Sequence, residues 1–128
     1  MNNLTKLLVI TGALLLGACA SHPEQKKVPW ENYAAKKSVD VFNPDFSNFR
    51  IISNNQVVIW ESPRNAYLVS VLGPCFFDDT APVLGFTTKM GDMVSAATDS
   101  ILYLHQRCPI QRIQKLDLKK LKTDGYLK

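Results

Sequence analysis

Histidine is scarce in this chain, with two residues, His22 and His105, among 128. Cysteine is nearly as scarce: there are three, and no two of them form a Cys-x-x-Cys pair. A closed zinc site needs four ligands, and the single His-x-x-Cys step, His105 to Cys108, offers two. The Gly-x-Ser-x-Gly turn of serine hydrolases is missing, as are the phosphate-cradling P-loop and the dinucleotide-binding glycine pattern. Acids are scattered, and the one adjacent pair, Asp78-Asp79, sits in a Phe-Phe-Asp-Asp-Thr turn. Neighbours on an extended chain point apart, so that pair reads as solvated turn acids rather than shared acid–base machinery. A Cys108–His105–Asp99 nucleophile can be sketched, but it requires a free thiol. The expectation is no catalytic residue, no metal site and no enzyme. No internal repeat, low-complexity tract or second long apolar run follows residue 18.

What is present begins with an address. Residues 2–6 are a short polar start with one cation, Lys6, and residues 7–16 are a nearly unbroken apolar run. That is the layout of a secretory signal, and the run is too short to remain as a membrane-spanning helix. The quartet Leu16-Gly17-Ala18-Cys19 resembles the lipobox of bacterial lipoproteins. The resemblance implies a signal peptide over residues 1–18 and a thioether-linked diacylglycerol on Cys19. Cleavage before Cys19 and acylation of the new amino group would follow. Only a nucleophilic sulfur can take the lipid. Two or three acyl chains, at about 0.8 kcal/mol per buried methylene, make such an anchor practically permanent. Ala20 stands where an aspartate would signal retention at the inner membrane in that class. The implied location is therefore the periplasmic face of the outer membrane of a Gram-negative cell. The covalent lipid is then the only expected cofactor. Expected partners are the membrane and an envelope protein, and the compartment excludes nucleic acid.

Residues 19–48 read as a tether followed by an irregular aromatic lead-in. They carry Pro23, Pro29 and Pro44, the cation pairs Lys26-Lys27 and Lys36-Lys37, and no sustained apolar period. Trp30, Tyr33, Phe42 and Phe46 set the second half apart from a free linker. These rings either staple the lead-in to the domain or, with Trp30 and Tyr33 exposed, form a face for a partner.

From residue 49 the chain becomes short apolar runs separated by turns. Asn54-Asn55 divides two of them as a hairpin turn tolerant of positive φ. Residues 66–72 are apolar on both faces, with Ser70 the one polar side chain, and read as a central strand. Further runs lie at 83–88, 93–97, 101–104 and 110–116. The reading is a mainly β fold, a small antiparallel β-sandwich or barrel of about six short strands. Met93, Ala96, Ala97, Ile101 and Leu104 also fit one helical face, so α+β is the alternative.

Cys75 and Cys108 share the oxidising compartment that the leader implies, and each lies beside a proline at a strand end. A disulfide closing residues 49–117 into one domain is the leading reading of the pair, ahead of metal ligation or a nucleophile. Residues 112–128 hold six cations against Asp117 and Asp124. Residues 118–128 thus form a basic tail, in which Asp117 can cap a short helical turn closed by Gly125. Lys119, Lys120 and Lys122 beside Leu118 and Leu121 could touch an anionic membrane surface.

With the cysteines placed, a longer pattern emerges. It comprises Val57-Val58-Ile59-Trp60, Ala66-Tyr67-Leu68-Val69, Gly73-Pro74-Cys75, Val83-Leu84-Gly85-Phe86-Thr87-Thr88, Asp99-Ser100-Ile101 and Cys108-Pro109-Ile110-Gln111-Arg112-Ile113. It resembles an uncharacterised family of small two-cysteine proteobacterial lipoproteins, a domain of unknown function. The resemblance implies strands at 101–104 and 110–116 and brings no reaction or ligand. The functional expectation is a non-catalytic envelope interaction or accessory module. The alternative is a carrier or sensor holding a small apolar ligand between Tyr67, Val69, Phe86 and Tyr103.

Overall fold

Residues 56–71 place apolar side chains on both alternating sets, which is what strands covered on two faces require. In the computed structural model these residues form two adjacent strands of a curled antiparallel sheet that makes a half-barrel. The structure describes residues 27–45, 48–73, 75–77, 84–89 and 91–128. Cys19, His22, Phe46, Pro74, Asp78, Asp79 and Val83 lie outside the described residues. The strands are β1 (Ala34–Ser38), β2 (Val41–Phe42), β3 (Phe49–Ser53), β4 (Gln56–Ser62), β5 (Asn65–Val71), β6 (Gly85–Phe86), β7 (Val94–Ser95), β8 (Ser100–Tyr103) and β9 (Gln106–Leu116). A 3₁₀ turn, Trp30–Tyr33, precedes β1, and one helix, α1 (Leu118–Thr123), follows β9.

Strand β9 connects the sheet. One of its edges pairs with β5, from Tyr67↔Lys115 to Val71↔Ile110. The other edge takes β8 at its start, from Ser100↔Pro109 to Tyr103↔Gln106, and β1 at its end, through Ala34↔Leu116. Between them, the Ser38 hydroxyl accepts the Ile113 N–H at 3.0 Å and the Val39 N–H donates to the Ile113 carbonyl at 2.7 Å. Pro109, which has no N–H, lies just past the last registered pair with β5, Val71↔Ile110, and takes part there through its carbonyl, which accepts the Leu72 N–H.

Alternation then sorts the core. Val57 and Ile59 of β4, with Val69 and Val71 of β5, face one side, where Phe42, Phe77, Leu84 and Val94 cover them. Val58, Ala66 and Leu68 face the other, under Trp30, Leu118 and Leu121. Asp99, 2% exposed, is satisfied within its own loop: its carboxylate accepts the Ser95 N–H at 2.8 Å and the Thr87 hydroxyl at 3.2 Å.

The mainly β reading and the Asn54-Asn55 hairpin match the structure, and the both-sided strand expected at 66–72 is β5, which stops one residue short, at Val71. Residues 93–104 form β7, a turn and β8, so the helical alternative there is not adopted. Three boundaries differ. The lead-in is not irregular throughout, because β1 and β2 lie within it. β1 has no apolar period: Ala-Lys-Lys is exposed, and backbone bonding to β9 holds it. The basic tail is not a tail either. Leu118 and Leu121 are buried, each contributing about 1.5–3 kcal/mol. α1 is capped by Asp117, whose side chain accepts the Lys120 N–H. It closes with Gly125 N–H to the Lys122 carbonyl and Tyr126 N–H to the Leu121 carbonyl, a Schellman ending at φ 83°. Finally, Cys108 sits inside β9, not at its opening.

Cys75 and Cys108 are bonded, with their Cα atoms 6.0 Å apart and a separation of 33 positions in sequence. Closing that loop stabilises by about 3–4 kcal/mol on the chain-entropy account. Replacing both by alanine (C75A/C108A) should lower the unfolding free energy by that amount in urea denaturation.

Candidate functional site

The disulfide end is the most tightly braced part of the surface. The Gln106 side chain accepts the Phe76 N–H through Oε1 at 2.9 Å and donates from Nε2 to the Phe76 carbonyl at 3.1 Å. This reciprocal pair imitates one rung of a sheet ladder. The Leu72 N–H donates to the Pro109 carbonyl at 2.8 Å. The segment after β5 is therefore fixed alongside the start of β9 by hydrogen bonds on both sides of Cys75.

On that rigid frame the apolar side chains point to solvent. Leu72 is 53% exposed, Phe76 64% and Leu104 62%. Single exposed leucines are ordinary, but three large apolar residues exposed in the segments that flank the disulfide make this end the candidate interaction surface. Leu104 adds a second anomaly. It occupies the β8–β9 turn at φ 53°, in the left-handed region. A leucine there costs about 1–2 kcal/mol that a glycine would not, and its exposed side chain returns little packing. Sequence reading missed this end because Leu72 and Leu104 read as strand residues and Phe76 as part of the Phe-Phe-Asp-Asp-Thr turn.

The sequence-derived candidates fall elsewhere. Trp30 is 5% exposed, edge-on to Trp60 at 6.5 Å, with the Arg50 guanidinium 5.7 Å from its ring centroid. It staples the lead-in, and the exposed aromatic face expected at Trp30 is not there. Tyr33 is half-buried, edge-on to Tyr126 at 5.9 Å, and its hydroxyl donates to the Asp124 carboxylate. That hydrogen bond, then burial and the charge of Asp124, push the Tyr33 phenol up to about 12. Lys119, Lys120 and Lys122 are exposed on α1, but Leu118 and Leu121 are buried against the second core, so the helix shows no apolar face to a flat membrane surface.

Tyr67, Val69, Phe86 and Tyr103 belong to the first core. Val69 and Tyr103 are fully buried, Tyr67 is 5.3 Å from the Phe42 ring, and Tyr103 is 5.3 Å from that of Phe77. Burial, foremost, raises the Tyr67 phenol above its ordinary value, with the charge of Glu61 adding to it. His105 is exposed in the β8–β9 turn, and the Cys108 sulfur is committed to Cys75. The sketched Cys108–His105–Asp99 nucleophile is thus not assembled. Among the described residues, no group of three His, Cys, Asp or Glu side chains could hold a metal. No helix among them is long and apolar enough to cross a membrane.

Residues 2–125 match the model of a family described as of unknown function, DUF6491. No curated protein and no solved structure matches the chain.

Leu104→Gly should raise the unfolding free energy by about 0.5–1 kcal/mol, since relief of the left-handed strain exceeds glycine's extra chain entropy. Urea denaturation of the two proteins checks it. A loss of stability would mean that Leu104 packs where it is placed.

Proposed function

The chain belongs to the DUF6491 family, and from that premise we propose that it is a lipid-anchored envelope protein working without catalysis as an interaction module. The location in this reading is the periplasmic face of the outer membrane, with Cys19 as the acylated residue. Two features support the anchor. The apolar run at 7–16 ends in Leu16-Gly17-Ala18-Cys19, and this leader lies inside the span that the family match covers. An oxidising compartment also suits a fold closed by Cys75–Cys108.

The observation that carries the interaction reading is the braced apolar end formed by Leu72, Phe76 and Leu104. Rigid exposed anchors lose little conformational entropy when a partner covers them, so their burial goes largely into affinity. The strained leucine fits the same reading, because stability is given up where a side chain must be displayed. The apolar-ligand alternative gains no comparable support, since its four residues are occupied with one another and with Phe42 and Phe77.

Two experiments test the two halves. Cells supplied with a labelled fatty acid should incorporate it into the protein, and Cys19→Ala should abolish the label; label that survives the substitution ends the anchor reading. Separately, a photo-crosslinking residue at position 76 in living cells should yield one dominant protein adduct. The same residue at position 37, exposed on β1, should not. Identical adducts from both positions, or none from position 76, would remove the disulfide end as the partner surface.

A further inference from the structure

Four cations converge at the far end of the sheet, against a single acid. A groove of about 670 Å³ runs between the start of β1, the β4–β5 turn and the passage from β9 into α1. That volume lies within the range of small-molecule sites, roughly 300–1,000 Å³. Its rim carries Arg64, Lys115, Lys119 and Lys120, and the one carboxylate among its lining residues is Asp117. Asp117 is already engaged, accepting the Lys120 N–H at 3.0 Å. The Lys120 ammonium stands 5.7 Å from the Tyr33 ring centroid. Among the described residues, the side chains of Arg64, Lys115 and Lys119 have no hydrogen-bonding or ion-pair partner. Beneath this rim the floor is apolar, formed by the buried Leu116 and Leu118.

Four cations against one lining carboxylate leave a net positive site whose like charges repel one another, and a concave site focuses their field on whatever enters. An anion relieves that repulsion. The arginine fork matches phosphate geometry, and the lysines add point charges. The apolar floor selects an anion that carries a hydrocarbon part. We propose that this groove binds the headgroup of an anionic glycerophospholipid, with Arg64 and Lys115 holding the phosphate and Leu116 and Leu118 receiving the glycerol and first methylenes.

A groove is a different device from a flat basic patch. Lys122 belongs to the same helix but does not line the groove, whereas Arg64 and Lys115 come from other elements. The site is also independent of the disulfide end, so either can fail without the other.

The test uses the purified full-length protein in an uncharged detergent, with short-chain phosphatidylglycerol as probe and native mass spectrometry and calorimetry as readouts. Phosphatidylglycerol should bind, and phosphatidylcholine of the same chain length should not. Arg64→Gln with Lys115→Gln should weaken binding by roughly thirtyfold, two surface charges' worth. Lys122→Gln should leave it nearly unchanged. All three side chains are exposed, so these variants keep the fold. No binding of phosphatidylglycerol, or equal binding of both lipids, overturns the proposal. Inorganic phosphate binding as tightly as the lipid overturns the lipid assignment. A Lys122→Gln loss equal to that of the double variant would reduce the groove to diffuse charge.

Discussion

Strand β9 is the constraint on which the rest of the structure depends. Eleven residues long, it is the only strand among those described that pairs with three others, β5 on one edge and β8 and β1 on the other. Its side chains enter both cores, Ile113 and Ile110 in one and Leu116 in the other. The disulfide ends on it at Cys108, and α1 starts one residue beyond its end, at the Asp117 cap. Disrupting its hydrogen bonding would cut the meander of β3, β4 and β5 off from β8 and β1. Burial of about 25 cal/mol for each Å² of apolar surface acts here through one shared backbone.

The two ends of this strand have different chemistry. Around Gln106 and Cys108 the surface is apolar and braced by side-chain and backbone hydrogen bonds. Around Lys115 and Leu116 it is cationic over an apolar floor. The one buried carboxylate among the described residues, Asp99, is taken up in joining the loop before β8 to Thr87 and Ser95.

Features that depend on neighbours in sequence were legible without coordinates. The Asn54-Asn55 turn, the apolar run through β5 and the Asp117–Gly125 brackets of α1 are each written in adjacent residues. The cysteine pair followed from compartment and context. Features that depend on distant partners were not legible. β1 is an Ala-Lys-Lys stretch whose strand character comes wholly from β9's carbonyls and N–H groups. Trp30 gave no sign of whether it faced solvent or Trp60, because that is decided by a ring thirty residues on. Phe76 read as part of a turn and Leu104 as the end of a strand, and neither pattern shows that the side chain is left exposed. Arg64 joins the lysines of 115–120 through the β4–β5 turn, which no local pattern announces.

The lateness of β9 in the chain also fixes an order of events in time. Synthesis proceeds from the amino end, so β3, β4 and β5 exist as a local meander well before their partner strand is made. In that interval Val57, Ile59, Val69 and Val71 on one face lack Phe77, Leu84 and Val94, and Val58 and Leu68 on the other lack Leu118 and Leu121. Cys75 likewise waits for Cys108, and β1 waits for residues 114–116. Pairings this distant close slowly and leave strand edges open to wrong partners. The protein therefore matures as a whole only after its carboxyl end has arrived, and until then it is a client for whatever holds unfolded chains apart.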